Sequence, residues 1–215
     1  MEYLCFLVFF APLKHKLKAV QMSEFWFYLN LGIQHVLDWN AYDHVLFLTA
    51  LVVGYQFSSW KKVFWLVIMF TLGHTISLGL AAYQLVQVDE KWIEFLIAAS
   101  ILFTAVYSLF TGRKTKSGAK LNLLYVVTLF FGLVHGFGFS SYFLMISESV
   151  EQPLLVLIEF ALGIEIAHLL TVLVVLLLAF IAQRVLNVSK RDWILVVSSI
   201  VIGLSIPILR EVWLW

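Results

Sequence analysis

Charge is what this sequence has least of. Only 13% of its 215 residues are Asp, Glu, Lys or Arg, against 62% hydrophobic. A soluble domain of that length must clothe a large surface in polar groups, so the ratio excludes one. The net charge of +1 leaves no basic excess for nucleic acid and no acidic tail. Thiols are missing too. Cys5 is the single cysteine, which rules out an internal disulfide framework and any multi-thiolate metal centre. A metal bound by this chain has to be held by nitrogen and oxygen. No repeat of solenoid length is present, and 87–91 and 111–120 are connecting loops too short for a second domain. The chain reads as all-α: one polytopic helical bundle in a membrane over residues 22–215, behind an extension at 1–21.

What the sequence has instead is a series of apolar stretches near the roughly 20 residues that a helix needs to cross a bilayer. They fall at 24–38, 42–59, 63–82, 92–110, 123–146, 153–182 and 193–209. The expectation is about seven transmembrane helices with a cytoplasmic N-terminus. The first two are short, with the polar run Asp38-Trp39-Asn40-Ala41-Tyr42-Asp43-His44 between them. That leaves open whether both cross or one dips in and returns.

Basic residues test the map. With the N-terminus inside, Lys14, Lys16, Lys18, Lys61, Lys62, Arg113, Lys114, Lys116, Lys120, Arg184, Lys190 and Arg191 are cytoplasmic. Only Lys91 and Arg210 fall opposite, a strong positive-inside bias. The loop acids Asp89, Glu90, Glu148 and Glu151 lie mostly on that opposite face. All eight tryptophans stand at or near segment ends, where an amphipathic ring meets the headgroups. Residues 1–21 fit less well. Tyr3–Leu13 is too short to span, Glu2 stands where a signal peptide has basic residues, and Met22 opens a plausible chain of its own. The extension reads either as an upstream start-site artefact or as an interfacial anchor.

Against this background the buried polar residues stand out. An ionisable side chain at the bilayer centre costs about 2.5–3.5 kcal/mol on insertion scales, so it is rare without a partner or a task. His35, Asp38, Asp43, His44, His74, Glu94, His135, Glu159, Glu165 and His168 all lie within or beside the spans. Of the 6 histidines, only His15 is clearly outside. On the expected topology these residues occupy the outer half and the midplane. Glu165 and His168 are three apart and share a helix face. Thr71, His74 and Ser77 form a stripe whose hydroxyls are expected to fix the His74 tautomer. Gly132 and Gly136 flank His135 as a small-xxx-small pair, and Gly136 with Gly138 is expected to kink that helix. Glu159 points away from His168, about 180° around, and is discounted as a ligand.

Each feature also has an ordinary reading. A lone membrane histidine is commonly an interhelical hydrogen-bonding group. Asp43-His44 reads equally as an interfacial cap, the glycines as packing, and Asp38 as a residue in water. The combination of five histidines with Asp43, Glu94 and Glu165 at compatible depths favours a shared site.

The same residues carry a resemblance. Gly-Ile-Gln-His-Val-Leu (32–37), Asp-His-Val-Leu-Phe (43–47) and Phe-Thr-Leu-Gly-His-Thr-Ile-Ser-Leu (70–78) are its first blocks. Ile-Glu-Phe-Leu-Ile-Ala-Ala-Ser-Ile (93–101), Phe-Gly-Leu-Val-His-Gly-Phe-Gly-Phe (131–139) and Gly-Ile-Glu (163–165) follow. In this order they resemble the HupE/UreJ membrane proteins, bacterial nickel (or cobalt) permeases associated with hydrogenase and urease maturation. The family usually places five residues, one a glycine, between its first histidine and its Asp-His pair. Here seven residues without a glycine separate His35 from Asp43, and Ala161 and His168 stand where an amide side chain is usual.

The resemblance implies a multi-pass protein of the bacterial inner membrane that handles a metal. The leading expectation is a permease for a divalent transition metal, most of all Ni²⁺, since imidazoles with carboxylates suit Ni²⁺, Co²⁺ and Zn²⁺. In this expectation His35, Asp43 and His44 capture the ion, and His74, Glu94, His135 and Glu165 form a midplane site with His168. Its partners are the metal ion and the lipid bilayer, not nucleic acid, and no protein partner is indicated. The alternative is an intramembrane zinc hydrolase acting on a lipid-like substrate, with Glu94 or Glu165 as general base. A haem-ligating or purely structural subunit ranks below both.

Overall fold

The computed structural model describes residues 24–39, 41–111, 118–147, 150 and 152–213. The extension at 1–21 lies outside these residues. Among them every regular element is helical. Helix α1 runs over 24–37 and α2 over Asp43–Val52. A 3₁₀ turn at Phe57–Ser59 leads into α3, Trp60–Ala82. Then come α4 (Glu90–Thr111), α5 (Gly118–Gly138) and α6 (Ser140–Ser147). Helix α7 (Pro153–Phe180) ends in a π-helical turn, Ile181–Val185, and α8 is Lys190–Glu211.

Four of these helices, Phe57–Ala82, Glu90–Thr111, Pro153–Val185 and Lys190–Glu211, are long and apolar enough to cross a membrane. A fifth candidate is Asn122–Gly138 with Ser140–Ser147, bent by 57° at the break. The kink expected at Gly136 and Gly138 is this bend, and Phe139 N–H closes it onto the Gly136 carbonyl at 3.2 Å. Proline and serine start the last two spans in the usual way. Pro153 occupies the first turn of α7, and Ser189 caps α8 by accepting from Asp192 N–H at 3.1 Å.

The described helices thus give four candidate spans, or five with the bent pair, where seven are expected, and the first two segments depart most from that expectation. Helix α2 has 10 residues, about 15 Å at 1.5 Å per residue, or half of a roughly 30 Å hydrocarbon core. Contacts give the direction of each piece. Gly79 meets Leu157 while Thr71 bonds His168, so α3 and α7 are antiparallel. Gly132 lies on Phe70 and Gly136 on His74, so α3 and α5 run together. Helix α1 follows α7: Glu24 and Tyr28 both lie near Glu159, and Gly32 packs against Gly163. Helix α2 follows α7 too. Its first turn places His44 beside His168, and beyond its end Gln56 donates to Gln183 at 2.7 Å.

Consecutive helices α1 and α2 therefore point the same way. The polar run between them lies beside the histidines, Asp38 lining the same cavity as His35 and His44. Residue 24 accordingly starts at the end of the bundle opposite Lys61, not with it.

Glycine makes the tight contacts possible. A Cβ on Gly32 would overlap the Phe160 carbonyl, and one on Gly163 the Leu29 carbonyl. Likewise a Cβ on Gly73 would meet the Leu129 carbonyl, and one on Gly132 the Phe70 carbonyl. The pair Gly132/Gly136 thus seats α5 directly on α3, as the small-xxx-small spacing led one to expect. At Gly203 on α8, by contrast, a Cβ would stand in open space, with no heavy atom within 4 Å. Gly163→Ala is expected to lower the melting temperature of the purified protein in detergent, consistent with about 1–3 kcal/mol for overpacking. Gly203→Ala is expected to hold or raise it, because alanine is favoured in a helix by about 0.8–1 kcal/mol. Equal effects at both positions would contradict the α1–α7 contact.

Candidate metal centre

Five helices each send one imidazole to the same place: His35 from α1, His44 from α2, His74 from α3, His135 from α5 and His168 from α7. His44 is the hub. Its ring centre lies 4.8 Å from His35, 5.3 Å from His74, 5.3 Å from His135 and 5.5 Å from His168. His35 and His74 are 5.5 Å apart. All but the partly buried His35 are buried, at 0–2% exposure.

Three of the rings are held at Nδ1. Asp43 Oδ1 lies 3.1 Å from His44 Nδ1 and also accepts the His44 backbone N–H at 2.9 Å. His135 Nδ1 is 2.8 Å from the Phe131 carbonyl, which can only accept, so this nitrogen carries the proton. His168 Nδ1 is 2.8 Å from Thr71 Oγ1. The Nε2 atoms of His35, His44, His135 and His168 and both ring nitrogens of His74 are buried without a hydrogen-bond partner. A buried polar atom left unpaired costs about 1–3 kcal/mol, so a convergent set of them is not ordinary packing. It is the geometry of imidazoles that offer Nε2 lone pairs to a cation while Nδ1 is fixed from behind. One nitrogen each from His35, His44 and His74 already lies within 4.8 Å of the others.

The stripe on α3 works differently from the expectation. Ser77 donates to the His74 backbone carbonyl at 2.8 Å, and Thr71 turns to His168, so neither hydroxyl fixes the His74 ring. The reason is tertiary: α7 brings His168 within reach of Thr71, and a ring nitrogen is the better partner for that hydroxyl.

The carboxylates separate into distinct places. Asp43 is second to His44, with its side chain 21% exposed. Glu94 is exposed at the lip of a cavity of about 820 Å³ that also takes in His35, Asp38, Asp43, His44 and His135. It shares that cavity with three of the imidazoles, His35, His44 and His135, as an exposed residue. Glu165 is partly buried beside Thr71. It is not among the three residues whose ligand atoms are brought closest, His35, His44 and His74. Glu159 points to Glu24 and Tyr28, away from the cluster, as its helical angle requires.

Aromatic rings close the cluster above and below, and sequence reasoning missed them. Phe139 and Phe160 stack at 5.4 Å beside His35, and Phe47 and Phe70 stack at 4.7 Å beside His135. Spacing could have found the second pair, since Phe47 and Phe70 each lie one turn from a histidine.

Thr71→Val keeps the shape of α3 but leaves His168 Nδ1 without its partner. The expected cost is about 1–3 kcal/mol, read as a lower melting temperature in detergent. A melting temperature equal to that of the wild type would show that the bond does not hold the ring.

The family described as HupE / UreJ protein matches residues 13–211. No curated protein and no solved structure matches the chain. The matched stretch runs through every helix that carries an imidazole of the cluster, and the chain belongs to the HupE / UreJ family.

Proposed function

We propose that the protein is a membrane permease for a divalent transition metal ion, with Ni²⁺ and Co²⁺ the foremost cargoes. The observation that carries this reading is the meeting of unpaired Nε2 atoms from five helices around His44. Imidazole with carboxylate suits Ni²⁺, Co²⁺ and Zn²⁺, whereas Mg²⁺ and Ca²⁺ prefer oxygen alone.

In this reading the 820 Å³ cavity is the entrance. Asp38, Asp43 and Glu94 at its wall raise the local concentration of cations. His35, His44 and His74 take the ion, and Asp43 holds His44 in the tautomer that presents Nε2. His135 and His168 stand one step further along, with Glu165 near His168 as compensating negative charge. A tetrahedral ion with bonds of about 2.0–2.1 Å needs ligand nitrogens about 3.4 Å apart, closer than the 4.8 Å limit within which these three lie. The rings have to close in on the ion. A site that must contract binds moderately and lets go, which suits transport better than a permanent metal.

The topology supports uptake. Lys61, Lys62, Arg184, Lys190 and Arg191 gather at one end of the bundle, and the entrance lies toward the other. The positive-inside bias makes the first end cytoplasmic. Helices α1 and α2, taken as one broken crossing, then join α3, α4, α5–α6, α7 and α8 in a bundle of six, loaded from outside down the membrane potential. A break beside a polar site is what discontinuous helices provide in other transporters. We place the protein in a bacterial cytoplasmic membrane.

The test is metal accumulation in cells with and without the protein, run across Ni²⁺, Co²⁺, Zn²⁺ and Mn²⁺. His35→Ala, Asp43→Ala and His135→Ala are each expected to abolish accumulation while the protein remains in the membrane. Normal accumulation in all three would refute the assignment. A stoichiometric zinc that survives detergent and mild chelation would replace it with the hydrolase.

A further inference from the structure

A second cavity lies on the cytoplasmic side of the imidazoles. It occupies about 430 Å³ between α4 and α5, under the end of α2, with Thr104, Ser108, Thr128 and Phe131 in its wall. Its wall is largely apolar and carries the hydroxyls of Thr104, Ser108, Thr111 and Thr128. Ser108 donates to the Ala50 carbonyl at 2.8 Å and Thr128 to the Leu124 carbonyl at 2.7 Å. With those protons committed to the backbone, what these side chains can turn to the cavity is oxygen lone pairs. Lone pairs suit a hydrated cation.

Between this cavity and the imidazoles stands a layer of phenylalanine. Phe47 and Phe70, both 0% exposed, stack at 4.7 Å with 20° between their planes. Phe131 meets Phe47 edge-on at 5.6 Å and continues into the cavity wall. Each of the three lies one helical turn to the cytoplasmic side of a histidine: Phe47 after His44, Phe70 before His74, Phe131 before His135. The rings touch the cluster directly, Phe47 and Phe70 lying 5.0 and 5.1 Å from His135. A closed apolar constriction stops a hydrated ion, because the water that carries it is excluded.

Resting on the permease reading, we propose that the 430 Å³ cavity is the ion's exit vestibule and that Phe47, Phe70 and Phe131 form its closed gate. The moving part is α2. It has 10 residues, is separated from its neighbours by the breaks at 38–42 and 53–56, and carries His44 and Phe47 one turn apart. Helices α3 and α5, locked backbone to backbone at Gly73 and Gly132, are the fixed wall. When the rings contract on an ion, His44 is drawn in and the same short helix carries Phe47 off Phe70. The Ser108–Ala50 bond ties the end of α2 to the vestibule wall and sets the resting position.

The single native cysteine makes the test clean. In a Cys5→Ser background, Gln34→Cys marks the entrance and Thr104→Cys the vestibule. Each is exposed to a membrane-impermeant thiol reagent in right-side-out and in inside-out vesicles. The two are expected to react from opposite faces. Adding Phe70→Ala to Thr104→Cys is expected to change labelling from one face to both, and Phe47→Ala repeats the arm should Phe70→Ala not insert. The proposal is overturned if Thr104→Cys reacts from the same face as Gln34→Cys. It is equally overturned if only a membrane-permeant maleimide reaches Thr104→Cys, which would make the cavity a lipid cleft, or if labelling stays one-sided in both gate variants. Labelling needs neither metal nor uptake. A protein that accumulates no metal yet labels as described would refute the permease and leave a gated vestibule. Uptake with the wrong labelling would refute the gate alone.

Discussion

Five imidazoles can share one neighbourhood only if the helices that carry them touch backbone to backbone. That contact is the constraint on which the structure depends. Gly32 against Gly163 brings α1 onto α7, and Gly73, Gly132 and Gly136 bring α5 onto α3. In lipid there is no hydrophobic drive to press helices together, and close packing of small residues takes its place. The glycines flanking the histidines are thus part of the site although none offers a ligand. A methyl group at any of them would part the helices, and rings now about 5 Å from His44 would lose one another.

Proximity alone would give a cluster of rings with arbitrary orientation. The Nδ1 partners remove that freedom by three different means: a carboxylate for His44, a backbone carbonyl for His135 and a hydroxyl for His168. Each partner occupies Nδ1 and leaves Nε2 as the ring nitrogen without a hydrogen bond. His74 has no such tether and relies on packing. The arrangement keeps a group of lone pairs buried at some cost in stability, and it does so between two aromatic layers that limit access to the side of the larger cavity.

Much of this was legible in the sequence, and the limits have physical causes. The histidines were found because a polar group in an apolar run is conspicuous, and depth along a helix follows from counting residues. Gly132 and Gly136 were legible as a packing pair because their spacing is a property of one helix. Direction was not legible at α1 and α2. A polar run between two apolar ones looks the same whether it turns at a surface or breaks a single crossing beside a cavity, and hydropathy carries no sense of direction. The expected role of Thr71 failed for a related reason: spacing shows that it shares a face with His74, but the ring it meets is on α7. Depth along a helix groups Glu94 and Glu165 with the histidines, but which way each carboxylate turns depends on the rotation of α4 and α7, and Glu94 is exposed in the larger cavity while Glu165 lies beside Thr71. Phe47 and Phe70 each stand one turn from a histidine in the sequence, but that they meet each other and Phe131 depends on contacts between α2, α3 and α5 that no spacing shows.

The central claim is that a metal ion is held by imidazole nitrogen at this cluster. X-ray absorption on the purified protein with one equivalent of Ni²⁺ addresses it directly. The account predicts a first shell containing at least three imidazole nitrogens, the number brought together by His35, His44 and His74. A shell of oxygen alone, indistinguishable from the hydrated ion in buffer, would contradict it.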